Sequence, residues 1–524
     1  MDDRTSDKRQ RRAKSTKRRL IRIFLSGLRW LAVIVLSGMI IGGLYVQAPW
    51  KVVALAAVLL AGLTVIRGRL RVYFWLGVAA VATGVIGWIL IPEKDDGQWQ
   101  RWPLDEEIAA FNARFAVEPE DNAAVIYNEV IESRDWGDYS KLLGDADPRN
   151  RAETELWTDD ELPELAALLA DISPELYRLQ CAAKNEACFF DIASEIMIDD
   201  EQSNRRSVMR RLAMLLGVRS RQLSNPTPID DAIVLVRMGY HLRLQPTFLD
   251  ILVGLAVGSM GNSRLNEMIV NEPLSEEQLN RIEQAIGKSS FDLEKKLEGL
   301  VDYETLTCKD LFSTFYQKHP SGNVRFLRFF SSSHDLFDDI EINQYLDRQA
   351  YWSEVWEKIA AVIMWFVLPR SPEPIFEKID TAFEPLYIYP PSKEPLVDFS
   401  GLQYDWRWNV AGLVEFSPMH TRSMLSRLYY DILPRHKCQR QGTLLLCELR
   451  RYKNRSGRWP DSLEDLLPDT PEAKLIDPVS GEWFVYERDD EGFIVYSAGM
   501  EMSKFDTKTG QMIKQHEIIE IWPE

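Results

Sequence analysis

Gly457-Arg458-Trp459-Pro460-Asp461-Ser462-Leu463-Glu464-Asp465-Leu466 separates two kinds of periodicity. Upstream, Ser423–Asn454 repeats apolar residues at helical spacing and is interrupted at most by Pro434. Downstream, Glu482–Glu487 and Phe493–Tyr496 read as short strands about an Arg488–Gly492 turn. Gln511–Ile521 follows as a third, after Lys508-Thr509-Gly510. A long helix beside a small antiparallel sheet predicts an α+β module over residues 421–524.

Before this module, residues 369–420 read as a Pro-rich connector and irregular segment, with Pro369, Pro372, Pro374, Pro385, Pro390, Pro391 and Pro395 in its first part. Tyr404-Asp405-Trp406-Arg407-Trp408 reads as a packed loop, with stacking on sugar rings as the alternative. Residues 93–368 are mainly helical. Leu104–Val117, Asp160–Ile172, Glu175–Lys184, Arg205–Leu223, Asp230–Leu244, Thr247–Met260, Ser275–Ile286 and Asp335–Leu346 all carry three- and four-residue apolar spacing. Ser275-Glu276-Glu277-Gln278 predicts a capping box, and Pro174 and Pro246 suit first helical turns. Phe248–Met260 and Ile359–Leu368 are too short to span a bilayer and read as core helices.

The N-terminus differs. Residues 1–22 hold ten Lys/Arg, and apolar segments Trp30–Val46, Val52–Ile66 and Val72–Ile91 follow. At about 20 residues per span, residues 23–92 predict three transmembrane helices. Pro49 after Val46-Gln47-Ala48 disfavours cleavage as a signal peptide. Arg67, Arg69 and Arg71 between the second and third segments place the basic tail in the cytoplasm and residues 93–524 outside it. Without the second span, the bulk of the chain would lie inside. Gly38 and Gly42 form a G-x-x-x-G pair that could pack helices within or between chains. The expected location is a bacterial inner membrane, multi-pass, with the bilayer and envelope proteins as partners.

Of the 524 residues, 62 are Lys or Arg and 79 Asp or Glu, a net charge of −17. Residues 1–92 carry 15 basic and 3 acidic side chains, so the rest of the chain is strongly acidic. That excludes a nucleic-acid binder built on phosphate neutralisation. At 46% hydrophobic, the chain can build a core.

No catalytic motif stands out. Gly287-Lys288-Ser289 resembles the end of a phosphate loop, but Ile282 occupies the position of the required glycine, so it reads as a helix C-terminus. Val257 spoils a G-x-S-x-G at Gly258-Ser259-Met260-Gly261. His241, His319, His334, His420, His436 and His516 are scattered, and His436-Lys437-Cys438 is the nearest His/Cys pairing. Asp199-Asp200-Glu201, Asp230-Asp231, Asp338-Asp339 and Asp489-Asp490-Glu491 could supply acid/base pairs but read as solvated helix starts or turns. Arg205, Arg206, Arg210 and Arg211 could bind an anion, although pairing with acids is the better expectation. No metal or cofactor is expected, and catalytic residues are unassigned. Cys181 and Cys188 could form a disulfide only if their helix breaks near Asn185, and Cys308 reads as a buried thiol.

Arg451-Tyr452 with Gly457-Arg458-Trp459-Pro460-Asp461-Ser462-Leu463-x-x-Leu466, Asp477-Pro478-x-x-Gly481 and Gly492-Phe493-x-x-Tyr496-Ser497-x-Gly499 resemble the globular part of type II secretion major pseudopilins. They are more similar still to the tail of an uncharacterised family of bacterial membrane-anchored proteins. In that family a Gln-Pro-Thr segment precedes, as at Gln245-Pro246-Thr247 through Val253-Gly254 here. The resemblance covers residues 440–500 well and 105–300 loosely, and it implies architecture rather than chemistry. True pseudopilins carry a glutamate in their N-terminal helix, which none of the three segments has. Their calcium loop is matched only by Glu501 and Asp506 in Met500–Asp506.

The expected fold is therefore three spans, a mainly helical soluble domain and a small pseudopilin-like α+β module. The expected function is a membrane-tethered extracytoplasmic interaction or scaffold protein linked to secretion or envelope assembly. The alternative is an envelope hydrolase with a carboxylate site formed on folding.

Overall fold

A computed structural model describes residues 98, 100–136, 151–192, 200–313, 316–322, 324–326, 372–390, 418, 421–488, 492–506 and 511–522. Side chains of residues 500–516 are not among those described. The chain divides into two compact units. In the first, β1 (Gln100–Arg101), β2 (Tyr316–Lys318) and β3 (Val324–Phe326) form an antiparallel sheet. Lys318 lies over the Trp102 ring there.

The second unit contains the helices α1 (Asp105–Phe115), α2 (Ala123–Glu132), α3 (Pro163–Asp171), α4 (Ser173–Ala182), α5 (Asp200–Arg219), α6 (Pro228–Arg243), α7 (Phe248–Asn271) and α8 (Glu276–Lys288). It also takes most of α9 (Leu293–Ser313) and α10 (Glu373–Phe383), then α11 (Leu433–Ser456) and β4 (Val485–Arg488), β5 (Phe493–Asp506) and β6 (Gln511–Trp522).

The three-span, multi-pass inner-membrane expectation, and with it the description as a membrane protein of the bacterial envelope, is corrected. Among the described residues no helix is long and apolar enough to cross a membrane. The long helices show why: α7 carries Asp250, Arg264 and Glu267, and α11 is basic along much of its length. The fold described is mostly helical with small antiparallel sheets. The basic tail, the segments at 23–92 and Gly38 with Gly42 lie outside the described residues, as do Asp335–Leu346, Ile359–Leu368 and Tyr404–Trp408.

Local signals act largely as physics requires. Ser275 and Gln278 exchange the two bonds of a capping box. Pro174 sits in the first turn of α4. Pro246 does not start α7; Thr247 is the N-cap, accepting from the Asp250 N–H at 2.9 Å. The Pro-rich stretch is partly helical, because Pro374 falls in the first turn of α10, where no N–H is needed. The helix through Pro434 is continuous rather than broken. A π turn at Leu428–Ile432 runs into α11, and the Leu433 N–H donates to Leu428 O, five residues back.

One core fills the region around α2, α4, α5 and α6, with Trp136 and Trp157 fully buried. Their indole N–H groups reach Val130 O and Val218 O, both at 3.1 Å. A second core joins Val236, Leu265 and Leu279 of α6–α8 to Leu445, Leu446 and Leu449 of α11 and to Phe493, Val495, Ile519 and Ile521 of the sheet. The order β4-β5-β6 is an antiparallel meander. Gly442 lets β6 lie close on α11, since a Cβ there would stand 2.5 Å from the Ile521 side chain.

Candidate functional site

The segments that carry the family resemblance have structural work in this fold. Arg450 (4.7 Å) and Lys453 (4.3 Å) both lie over the Trp459 ring, which meets Phe493 edge-on. Ser462 and Asp465 cap the turn Leu463–Leu466. Asp477 is fully buried; it accepts from the Val479 and Ser480 N–H groups and from the Ser497 hydroxyl at 2.6 Å. These bonds hold the Asp477 carboxyl below the usual range although burial opposes them. Gly499, at φ +88°, sits at a register shift of β5 where a Cβ would strike Glu517 O. Asp477 and Ser497 therefore link the turn to the sheet, and neither is open to a ligand.

The polar feature that faces open space lies where α6, α8 and α11 meet. Gly239, Gly254 and Gly261 bring α6 and α7 together so closely that a Cβ on Gly239 would be 2.5 Å from Gly254 O. Along α6, Arg237, His241 and Arg243 are buried. His241 joins Tyr127 through Nδ1 and Asn185 O through Nε2, each at 2.9 Å. Burial, with help from Arg237, pushes His241 down to about 3, so it is neutral.

The C-terminus of α8 presents its last carbonyls, of which Ile286 O also accepts the Ser289 N–H, and three arginines cover them. Arg440 Nε donates to Ile286 O at 3.0 Å and Nη2 to Gly287 O at 3.4 Å. Arg237 donates to Lys288 O and Arg243 to Ser289 O, both at 3.1 Å. Gly287-Lys288-Ser289 thus exposes carbonyls to cations and offers no nest of N–H groups to phosphate, as its reading as a helix end predicts.

Arg243 is only 2% exposed. Its Nε donates to Gly239 O, and its Nη1 lies 2.5 Å from His436 Nε2. Burial, opposed by Tyr240 and helped by the neighbouring Arg440 and Arg237 charges, lowers Arg243 to about 9. Burial and the Arg243 and Arg440 charges hold His436 down to about 3. His436 is therefore a neutral acceptor for Arg243. Next to this pair opens a cavity of about 160 Å³, lined by Arg243, Phe291, His436, Lys437, Arg440 and Gln441 among others. No carboxylate lines it. Its volume is roughly ten times the ~10–15 Å³ one water needs.

The other candidate residues do not converge. Cys438 turns away from the cavity and packs against Asp477 and Ser497, and burial pushes its thiol up to about 12. All five cysteines are free, Cys181 and Cys188 included, although α4 does end before Asn185. Cys308 is buried, as its apolar setting predicts. Asp230 pairs with Arg281, and buried Asp231 with Arg219. Asp199, Asp338, Asp339, Asp489, Asp490 and Glu491, with the side chains of Asp200 and Glu201, lie outside the description.

The arginine cluster of α5 is divided. Arg205 and Arg206 approach Asp250 at 3.9 and 3.8 Å, and Arg211 donates to Trp136 O. Ser259 lies within α7 against Gln439, not on a nucleophile turn. His319 is a half-buried residue bonded to Ser321. His334, His420 and the side chain of His516 are not described. Among the described residues no three His, Cys, Asp or Glu side chains gather as metal ligands would.

Sequence reasoning missed Arg237, Arg243 and Arg440. A usable signal was present: two arginines inside the apolar run Asp230–Leu244, and Arg440 one helical turn beyond His436. No family model, curated protein or solved structure matches this chain.

Proposed function

We propose that the chain is an interaction and scaffold protein, in which a helical body holds an α+β module through a helix common to both and recognises a ligand at their seam. The observation that carries this is α11. Arg450 donates to Ile269 O and Val270 O of α7. Arg451 joins Glu276 and Glu283 of α8 while also pairing with Glu448. On the same helix, Leu445, Leu446 and Leu449 share the core of the sheet. The resemblance of the tail to pseudopilin globular domains supports its reading as a module shown to protein partners of a secretion-type assembly.

The chemistry of the seam supports recognition over turnover. A nucleophile needs a base with a free lone pair, and His436 Nε2 is already taken by Arg243. A carboxylate hydrolase needs two acids in one cleft, and this lining has none. The test is a panel of ester, peptide and glycoside substrates with the purified full chain. The expected result is no product above the buffer rate; turnover that disappears with one Asp→Asn or Glu→Gln substitution would overturn the reading.

A further inference from the structure

We propose that the cavity beside α11 binds a phosphate group, either inorganic phosphate or the phosphate of a small molecule. This rests on reading the seam as a binding site. Arg243 forms the floor, with Nε and one N–H each of Nη1 and Nη2 engaged by Gly239 O, His436 and Ser289 O. A guanidinium has five N–H groups, so two remain. Arg440 uses Nε and Nη2 on the α8 carbonyls, and its Nη1 has no partner among the described residues. Lys437 is exposed at the rim and likewise lacks a described partner.

Three cations thus converge on one space from the floor and one side, and no acid in the lining offsets them. A planar carboxylate offers two oxygens. A phosphate offers a tetrahedral set and up to two charges, which suits donors arriving from three points. Phe291 in the lining supplies an apolar face for whatever bears the phosphate. The depressed acidity range of Arg243 is what burial with like charges and no anion produces.

The experiment is titration calorimetry of the full chain with inorganic phosphate, phenyl phosphate and succinate, against sodium chloride at matched ionic strength. Saturable phosphate binding is expected, weakened at least ten-fold by Arg440→Gln and by Lys437→Ala. Lys437 is exposed, so its variant keeps the fold and serves where Arg440→Gln does not. Tighter binding of phenyl phosphate would assign the site to a phosphorylated small molecule, and equal binding to the free ion.

Phosphate heats no greater than those of chloride, or binding unchanged in both variants, would overturn the proposal. Succinate binding as tightly as phosphate would overturn the phosphate assignment and leave the seam a binding site. Release of phenol from phenyl phosphate would support the ligand class and overturn the non-catalytic reading.

Discussion

Arg243 Nη1 lies 2.5 Å from His436 Nε2, joining two helices whose residues are 193 positions apart in the chain. The pair works because His436 is neutral and Arg243 has two further acceptors, Gly239 O and Ser289 O. Arg243→Met is expected to leave buried Ser289 O and His436 Nε2 without this donor, while Gly239 O keeps its helical N–H partner, and to destabilise the chain by on the order of 3 kcal/mol. Lys437→Ala, at an exposed position, should stay within about 0.5 kcal/mol of the parent. Urea unfolding of both variants checks this. Equal stabilities would mean that Arg243 is not part of the frame.

The Arg451 network leads to a second expectation. Glu448 is buried and is approached by Arg451 at 2.9 Å, Lys474 at 2.5 Å and the Thr470 hydroxyl at 3.2 Å. Arg451 and Lys474 also share Glu283. Removing one member of such a cluster strands a buried charge, so Arg451→Met should cost about 3 kcal/mol. Glu448→Gln should lower that cost, giving a coupling of roughly 1–3 kcal/mol in a double-mutant cycle. Additive effects would show that the contacts are independent.

Much of the helical frame was legible because its determinants are local. The Ser275 box, the periodicity of Asp230–Leu244 and the Gly/Pro punctuation of the tail each act within a few residues. The full length of α7 was not. Gly261, Asn262 and Ser263 look like a stop after Met260, yet the helix runs to Asn271. Gly261 faces Ala232 O and Leu235 of α6, so packing overrides propensity. Ala123–Glu132 and Leu293–Ser313 were missed although both are helices in the fold. The site was the least legible. In the sequence His436 and Lys437 stand out only as neighbours of Cys438, whereas His436 meets Arg243, 193 positions away, and nothing local ties the two together.

Two glycines give opposite expectations. A Cβ at Gly239 would meet Gly254 O and Gly258 N at 2.5 Å, both backbone atoms that cannot step aside. Gly239→Ala should force α6 and α7 apart and cost about 1–3 kcal/mol or more. Gly287 is in the last turn of α8, and a Cβ there meets nothing within 4 Å. Gly287→Ala should therefore stabilise by about 0.5–1 kcal/mol through the unfolded chain. Thermal melts of the two variants decide it; a stable Gly239→Ala would mean that the helices do not cross at these glycines.

The two buried histidines should make stability depend on pH in a defined direction. His241 and His436 take protons only near pH 3 when folded, and near 6.5 when unfolded. Between these values the unfolded chain binds more protons, so stability is complete above about 6.5 and falls as pH drops. Each histidine contributes about 1.4 kcal/mol per pH unit.

Glu304 acts against them. Burial pushes its carboxyl up to about 7 from 4.5, so the folded chain holds that proton and loses stability as pH rises through the window. From pH 6 to 5 the three groups sum to a loss of about 1.4 kcal/mol per unit on acidification. His436→Gln, which keeps an acceptor for Arg243, should bring that slope close to zero. Glu304→Gln should roughly double it. Urea midpoints for the parent and both variants at pH 5 and pH 6 measure the slopes, and an unaltered slope in both variants would rule out these groups as its source.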